Sequence, residues 1–344
     1  MDFHLKSKIH RTEIDESVEC FLIHPLLHTS FVYIIYILGS SKDLVQCSRV
    51  CTTFKSYSNQ AYDKWCSDIS QGKTLLKIQA INYLDKSFLF PNFIYCSKFI
   101  GKRLTDGILK NAILDGCQCE SGYCTIDCEC LNRNPSPNTM NDIYMPFECH
   151  KNCSCSCNQH KITKKNSHSC QNNRSIKRNM LPLVVTRRNA SKGWQLECHV
   201  PLQKGDAVVD YFGEFISTQE AIHRQIKRDQ QRTKNGNYIL TFEEKFPKTN
   251  TTVSMSIDAE SYGSLGRFVN HSCSPNLLVG AVRQESLIPS LIFFANRYIE
   301  AGEELTIDYG HGKEANDLGL TNVNDDHPCH CGAPNCRGTL PYHV

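Results

Sequence analysis

Cysteine is the residue type with the clearest chemistry in this chain, which has twenty cysteines among its 344 residues. Ten of them lie between Cys117 and Cys170, beginning with a CxCx4Cx3CxC array. Zinc prefers four thiolates in a tetrahedron, and nine cysteines complete three zinc sites when three sulfurs each bridge two metals. This count leaves Cys157 over. The predicted ligands are Cys117, Cys119, Cys124, Cys128, Cys130, Cys149, Cys153, Cys155 and Cys170.

Three more cysteines stand close together near the C-terminus, in the segment CHCGAPNC. They are one ligand short of a closed structural zinc site, so a distant fourth is required. Cys273 is the best candidate because it follows Asn270 and His271 in the middle of a strand-rich region. A fourth zinc bound there would tie the tail across that region. The predicted ligands are Cys273, Cys329, Cys331 and Cys336.

The start of the chain bears on whether the cysteines are thiolates or disulfides. Residues 1–20 are charged and lack the apolar core of a secretory signal. The apolar stretch Phe21–Leu38 contains two histidines and a proline, and its unbroken run is far shorter than the ~20 residues of a membrane span. We therefore expect an intracellular chain with reduced cysteines and no membrane association. Disulfides and a nucleic-acid-binding zinc module are the alternatives.

Two kinds of element must position these groups. Residues 20–66 show apolar spacings of three and four that predict a small all-α domain closed by Trp65, and residues 67–115 form a packed connector. From Leu181 to Tyr309 short β-branched runs predict a mainly β domain, with one helix opened by a capping box of Ser217 and Glu220. The predicted strands are Leu183–Thr186, Gln195–Val200, Ala207–Phe212, Leu291–Ala295 and Leu305–Tyr309.

Two segments of the β region, GRFVNHSCSPN (Gly266–Asn276) and EELTIDYG (Glu303–Gly310), resemble the signature segments of SET-domain methyltransferases. KGWQL and YFGEFIS resemble two earlier motifs of that family, and the cysteine groups resemble its pre-SET and post-SET zinc modules. CQNNR resembles the end of the pre-SET module and so favours Cys170 over Cys157 as the ninth ligand. Among subfamilies, the chain most resembles SETMAR-like and heterochromatin-type histone methyltransferases. Residues 20–66 resemble an F-box, which docks on the Skp adaptor of cullin ubiquitin ligases.

The resemblance divides the chain into six segments. It implies a SET fold of small sheets with a knot-like C-terminal crossing, flanked by zinc modules. The segments are an F-box-like domain at 20–66, a connector at 67–115, a pre-SET cluster at 116–176, a SET domain at 180–311, a linker at 312–326 and a post-SET module at 327–344.

The resemblance also implies a cofactor, S-adenosylmethionine, and a set of site residues. Tyr309 matches the catalytic tyrosine, and Tyr238 matches a tyrosine that shapes both the cofactor and the lysine pockets. In Leu305–Tyr309, strand alternation places Tyr309 on one face with apolar neighbours, as a dry lysine channel requires. The implied cofactor-binding residues are Lys192, Gly193, Trp194, Tyr238, Tyr262, Arg267, Phe268, Asn270 and His271.

Two positions depart from the family pattern. Gln195 stands where the motif has a second glycine, so its side chain is expected to narrow the donor approach or to shift the backbone. Ile307 stands where many relatives carry Phe or Tyr, which favours dimethylation or higher.

We therefore predict a nuclear, chromatin-associated lysine methyltransferase acting on a histone tail, that of histone H3. The alternative is an F-box-like adaptor whose SET region binds histone tails without efficient turnover. A nucleosome is the expected larger partner and a Skp-type adaptor a possible one, and the net charge of +3 does not call for sequence-specific DNA binding.

Overall fold

The computed structural model describes residues 46, 48–50, 52–84, 93–101, 114–119, 124, 127–133, 147–150, 152–155, 172–173, 175–230, 237–246, 251–284, 286–310 and 328–340. The chain divides into two compact units, Met1–Tyr62 and Asp63–Val344. All the strands of the described residues lie in the second unit.

Twelve strands lie in the described part of the second unit. Most of them are short, which matches the predicted mainly β architecture of small sheets. Their bounds are β1 Ala80–Asn82, β2 Ile94–Tyr95, β3 Leu183–Asn189, β4 Gly193–Cys198, β5 Ala207–Asp210, β6 Gly213–Ile216, β7 Ile239–Phe246, β8 Thr251–Gly263, β9 Asn270–His271, β10 Leu277–Val282, β11 Ser290–Ala295 and β12 Thr306–Ile307.

The strands form four sheets. Their orders are β1-β3-β4, β10-β11-β5, β12-β9 and β2-β8-β6, and β7 also pairs with β8. The pairs β1 with β3, β2 with β8 and β9 with β12 are parallel, whereas the others are antiparallel. Because parallel partners need a crossover connection, β9 and β12 bring two signature segments together from distant parts of the chain.

The core of the second unit is built on β11. Five of its six residues, Leu291–Ala295, are fully buried, which is why this strand is a continuous apolar run instead of an alternating one. It lies between β10 and β5, with registers Phe293↔Val279 and Phe293↔Val209. Burial of its large side chains provides much of the hydrophobic stabilisation on which the site rests.

Two longer helices span Thr52–Ser67 and Thr218–Gln230. The second begins where the sequence predicted, and the Ser217 hydroxyl accepts the N–H of Glu220 at 3.1 Å. A short helix spans Glu129–Asn132, and two 3₁₀ helices span Ser175–Met180 and Leu265–Phe268. None of the described helices is long and apolar enough to cross a membrane.

Some sequence predictions differ in extent from the structure. The predicted strand Leu305–Tyr309 contains only the two residues of β12, because only Thr306 and Ile307 pair with β9. The hairpin of β7 and β8 was not predicted, since Thr251–Gly263 is rich in serine and lacks an apolar run. The connector contains β1 and β2, each of which pairs in parallel with a strand of the β region. Much of the F-box-like pattern, including Leu44, lies outside the described residues.

Candidate active site and metal centres

Eight of the nine predicted pre-SET ligands lie in one group. Three sets of four thiols each have all sulfurs within 4.8 Å of one another. Cys124 and Cys149 belong to two sets each, as a sulfur that bridges two metals requires, and Cys117 belongs to all three. Cys157 and Cys170 lie outside the described residues. The sets are Cys117, Cys124, Cys149 and Cys155; Cys117, Cys130, Cys149 and Cys153; and Cys117, Cys119, Cys124 and Cys128.

The spacing of these sulfurs suits zinc. With Zn–S bonds of about 2.3 Å, the edge of a tetrahedron of thiolates is about 3.8 Å. Cys117 and Cys124 lie 3.8 Å apart, and Cys130 and Cys153 lie 3.7 Å apart. The backbone N–H of His150 donates to the Cys153 sulfur at 3.2 Å, which favours the thiolate. None of the described cysteines is in a disulfide.

A second thiol group joins the β region to the C-terminal segment. The sulfurs of Cys273, Cys329, Cys331 and Cys336 lie within 4.8 Å of one another. The N–H of Arg337 donates to the Cys273 sulfur at 3.3 Å, and the N–H of Gly338 donates to that of Cys336 at 3.4 Å. Four thiolates with backbone donors are a donor set that fits one structural zinc.

Asn270 connects three segments that carry the family motifs. Its side-chain amide donates to the carbonyl of Trp194 at 3.2 Å and to the Glu304 carboxylate at 3.0 Å. The same carboxylate accepts a hydrogen bond from the ammonium group of Lys192 at 2.8 Å, and this ammonium group also contacts the carbonyl of Cys331. Glu304 thus orients two predicted cofactor residues, a role that sequence reasoning missed, although Glu304 lies within the EELTIDYG signature.

Gly193 begins β4 beside this network with a φ of +76°, a conformation that favours glycine. A Cβ built at this position would meet nothing within 4 Å. The backbone therefore borders open space here, which suits the close approach of a ligand. Trp194 lies next to it and packs edge-on against Trp65, with ring centroids 6.5 Å apart.

Tyr309 is half-buried beside β9. Its hydroxyl donates to the carbonyl of Val269 at 3.1 Å, and its backbone N–H donates to Nδ1 of His271 at 3.2 Å. Burial raises the pKa of Tyr309 above its usual value, and the nearby phenol of Tyr238 and carboxylate of Glu304 raise it further. The phenol therefore stays neutral at ordinary pH and acts through hydrogen bonds.

His271 connects Tyr309 to the C-terminal thiol group. Because its Nδ1 accepts the N–H of Tyr309, the neutral ring carries its proton on Nε2, which lies 3.3 Å from the Cys273 sulfur. Burial lowers the pKa of His271 to about 4, although Asp308 opposes the shift. This environment suits a structural link and not a general base.

Two of the remaining predicted cofactor residues, Tyr238 and Phe268, pack against a third, the buried Arg267. Arg267 and Phe268 are both buried, whereas Tyr262 is 36% exposed at the strand position paired with Ile94. The Arg267 guanidinium lies 4.2 Å from the ring centre of Tyr238. Arg267 is therefore packed under Tyr238 and is not open to solvent.

Gln195 is buried in a polar network instead of projecting into open space. Its side chain lies on the same face of β4 as Glu197 and donates to that carboxylate at 2.9 Å. Burial alone would raise the pKa of Glu197, but hydrogen bonds from Arg188, Thr186 and Gln195 outweigh it and lower the pKa. The side chain of Gln195 is therefore held against Glu197, and its effect on the donor approach stays a prediction.

Asn276 is a second residue that sequence reasoning did not single out. It is 1% exposed, and its amide donates to the Glu303 carboxylate and the Glu304 carbonyl, both at 2.9 Å. Its side-chain oxygen accepts the N–H of Thr306 at 2.8 Å. Asn276 thereby fixes the start of β12 against the first signature segment, and its place at the end of that segment was the available signal.

Residues 193–310 match the model of the SET domain. The chain is 32% identical over 250 residues to the rat histone-lysine N-methyltransferase SETMAR, covering 66% of this chain and 72% of that protein. The chain belongs to the SET-domain histone-lysine methyltransferase family. It is also 31% identical over 281 residues to Su(var)3-9 of Drosophila melanogaster, covering 76% of this chain and 41% of that protein.

Solved structures of this family share the fold of the present chain. The methyltransferase domain of human SETMAR has a TM-score of 0.60 and 28% identity, over 80% of this chain and 98% of that one. KRYPTONITE in complex with mCHH DNA, an H3(1-15) peptide and SAH has a TM-score of 0.57 and 27% identity, over 80% and 54%. The present chain spans only 14% of the length of Arabidopsis SUVR5 and 41% of that of Drosophila Su(var)3-9.

Proposed function

We propose that this chain transfers methyl groups from S-adenosylmethionine to a lysine of a histone tail, that of histone H3. The observation that carries the proposal is the pairing of β9 with β12, which places Asn270 and His271 beside the segment that ends at Tyr309. Family membership supports the proposal, as does the related KRYPTONITE structure, which contains SAH and an H3 peptide.

The donor would lie against the backbone of Lys192, Gly193 and Trp194 and against Asn270 and His271. The Glu304 carboxylate orients Lys192 and Asn270. The open space beside the Gly193 backbone leaves room for a ligand. When bound, S-adenosylmethionine supplies an electrophilic methyl group. The chain's contribution is to hold these groups in place and to exclude water.

The attacking lysine must be neutral, and with a pKa near 10.4 its deprotonation at pH 7 costs about 4 to 5 kcal/mol. Burial of the amine lowers that cost because desolvation disfavours the ammonium form. Tyr309 and Tyr238 would form the walls of this channel. Since the pKa of Tyr309 is raised, its phenol offers a neutral polar group there and not a phenolate that would stabilise the ammonium.

The test is methyl transfer from labelled donor to histones and to an H3 tail peptide, by the wild-type protein and by Tyr309→Phe. We expect transfer by the wild type and a fall on the order of 100-fold or more in the variant, as for loss of a positioned hydrogen-bonding group. Donor binding, measured by calorimetry, should persist in the variant. Histone-tail binding without any tyrosine-dependent transfer would support the adaptor alternative instead.

We also propose that the protein holds four zinc ions, three in the pre-SET cluster and one in the post-SET site. The shared sulfurs of the three sets and the fourth set at Cys273 support this number. Metal analysis of the purified protein should find four zinc per chain. The single variants Cys170→Ser and Cys157→Ser identify the ninth ligand. We expect the zinc content to fall in Cys170→Ser and to stay unchanged in Cys157→Ser.

The substrate class leads us to propose nuclear, chromatin-associated residence and action on nucleosomes. Fractionation of cells that express the tagged protein should recover it with histones. We further propose that residues 20–66 bind a Skp-type adaptor, which a pull-down with purified Skp checks. A deletion of residues 20–66 should abolish that binding, and absence of binding by the full chain would remove this part of the proposal.

A further inference from the structure

Arg267 is a buried arginine enclosed by aromatic rings. Its guanidinium carbon lies 4.2 Å from the ring centre of Tyr238, 4.3 Å from that of Phe93 and 5.2 Å from that of Phe268. The residue is 7% exposed. A desolvated guanidinium over an aromatic face is stabilised by cation–π attraction and keeps its charge, because arginine does not deprotonate in proteins.

Backbone carbonyls hold this group in place without cancelling its charge. Nε donates to the carbonyl of Ala259 at 2.8 Å and Nη2 to that of Glu260 at 3.2 Å. Nη1 is buried and meets no hydrogen-bond acceptor among the described residues. Gly263 makes the room, since a Cβ there would lie 2.9 Å from Cδ of Arg267.

The acidic groups around Arg267 are each paired with another cation. The carboxylate of Asp258 forms ion pairs with the guanidinium groups of Arg224, at 2.9 Å, and Arg228, at 2.7 Å. The carboxylate of Glu260 forms an ion pair with Arg228 at 2.6 Å. Glu304, near Tyr309, accepts Lys192 at 2.8 Å. Within the described part of the chain, no carboxylate forms an ion pair with Arg267.

The titratable groups that act on Arg267 are the phenols of Tyr238 and Tyr211 and the carboxylate of Glu260, which is paired with Arg228. The hydroxyl of Tyr211 donates to the carbonyl of Tyr238 at 2.6 Å. Tyr309 lies close to both. Burial raises the pKa of Tyr211 and of Tyr309, so both phenols are neutral and neither offsets the positive charge of Arg267.

We propose that Arg267 is an electrostatic element of the lysine channel: its buried charge behind the ring of Tyr238 disfavours the ammonium form of the target lysine. This inference rests on the proposed methyltransferase function. A like charge lowers the pKa of an amine, and at an effective dielectric constant near 20 a unit charge about 12 Å away shifts it by about one unit. Arg267 thus promotes the reactive, neutral amine without touching it.

The test is the pH dependence of kcat for an H3 tail peptide at saturating donor, compared between wild type and Arg267→Met. Methionine keeps an unbranched apolar side chain and removes the charge. We expect the acid limb of the profile to move up by about one pH unit, with a roughly tenfold fall in kcat at neutral pH that largely disappears at high pH. Arg267→Gln, which is also neutral but retains a donor for Ala259, should show the same shift.

Arg283→Met is the matched control. Arg283 is also buried, donates to the carbonyl of Leu287 at 2.9 Å and lies over a ring, that of Phe147, which belongs to the cysteine-rich segment and not to the tyrosine group. It should lose stability without any shift of the profile. Donor affinity and thermal unfolding are measured for every variant.

A fall in kcat by one constant factor at every pH would overturn the proposal, because a purely structural role predicts that result. Failure of both neutral variants to fold would overturn it as well, since the charge would then serve the fold. Failure of the methyltransferase function itself is distinguishable, because the wild-type protein would then show no Tyr309-dependent transfer at any pH.

Discussion

The guanidinium of Arg337 lies 2.7 Å from the carboxylate of Asp308, and this ion pair joins the C-terminal cysteine segment to the residue before Tyr309. Asp308 also accepts the N–H of Gly310 at 2.9 Å. The backbone on both sides of Tyr309 is therefore held by one carboxylate. The backbone N–H of Arg337 meanwhile donates to the sulfur of Cys273.

This relationship predicts that Arg337→Ala weakens donor binding without removing zinc. The guanidinium is 41% exposed, so the pair is screened and contributes at most about 1 kcal/mol, or roughly fivefold in donor Kd. Asp308→Asn should have a similar effect, and the double variant should be no worse than either single one. Calorimetric donor titration checks this, and strictly additive losses would show that the two residues act separately.

Cys273→Ser should reduce the zinc content from four ions to three. A serine hydroxyl is a poor replacement for a thiolate, and loss of the fourth ligand opens the post-SET site. Donor affinity should fall with it, since His271 and Lys192 both contact residues of this group. Metal analysis is the measurement. Cys198→Ser is the control, because Cys198 is buried but belongs to none of the described ligand sets, and it should retain all four ions.

Gln195→Gly, which restores the second glycine of the family motif, should destabilise the protein instead of improving donor binding. Glu197 is fully buried and would lose the hydrogen bond from Gln195, and glycine is unfavourable within a strand. The expected loss in the free energy of unfolding is about 1 to 3 kcal/mol. Urea unfolding checks the stability. Unchanged stability together with tighter donor binding would mean that Gln195 obstructs the donor after all.

Ile307 bears on the number of methyl groups transferred. It is 3% exposed and pairs with His271 in the β12–β9 sheet, so it is held close to the proposed lysine channel. We expect dimethyl or higher product from the wild type and a shift towards monomethyl product in Ile307→Tyr, whose larger side chain narrows the channel. Mass spectrometry of an H3 peptide reads out the products. Ile307→Val should leave the pattern unchanged, and a wild type that gives only monomethyl product would contradict the prediction.

Local pattern was enough for part of the fold. The continuous apolar run of Leu291–Ala295 predicted a buried strand, and the pair Ser217 and Glu220 predicted the start of a helix, because both depend on neighbours in sequence. The hairpin of β7 and β8 escaped prediction, since its strands are stabilised by pairing with each other and with β6 and not by an apolar periodicity. The two-residue strand β12 was overestimated in length because alternation continues where pairing stops.

The sequence by itself determined the chemistry of this protein: the spacing of its thiols, the family of its signature segments and the identity of its central tyrosine. Ligand type and motif are local properties, so they can be recognised from the amino-acid sequence without the fold. Only the tertiary structure decided which distant groups meet. Glu304 orients Lys192 and Asn270 across 112 and 34 residues of chain, and Arg267 lies unpaired beneath Tyr238 because its acidic neighbours bind other arginines. Burial and charge pairing depend on the whole fold, and they are what turn a motif into a site.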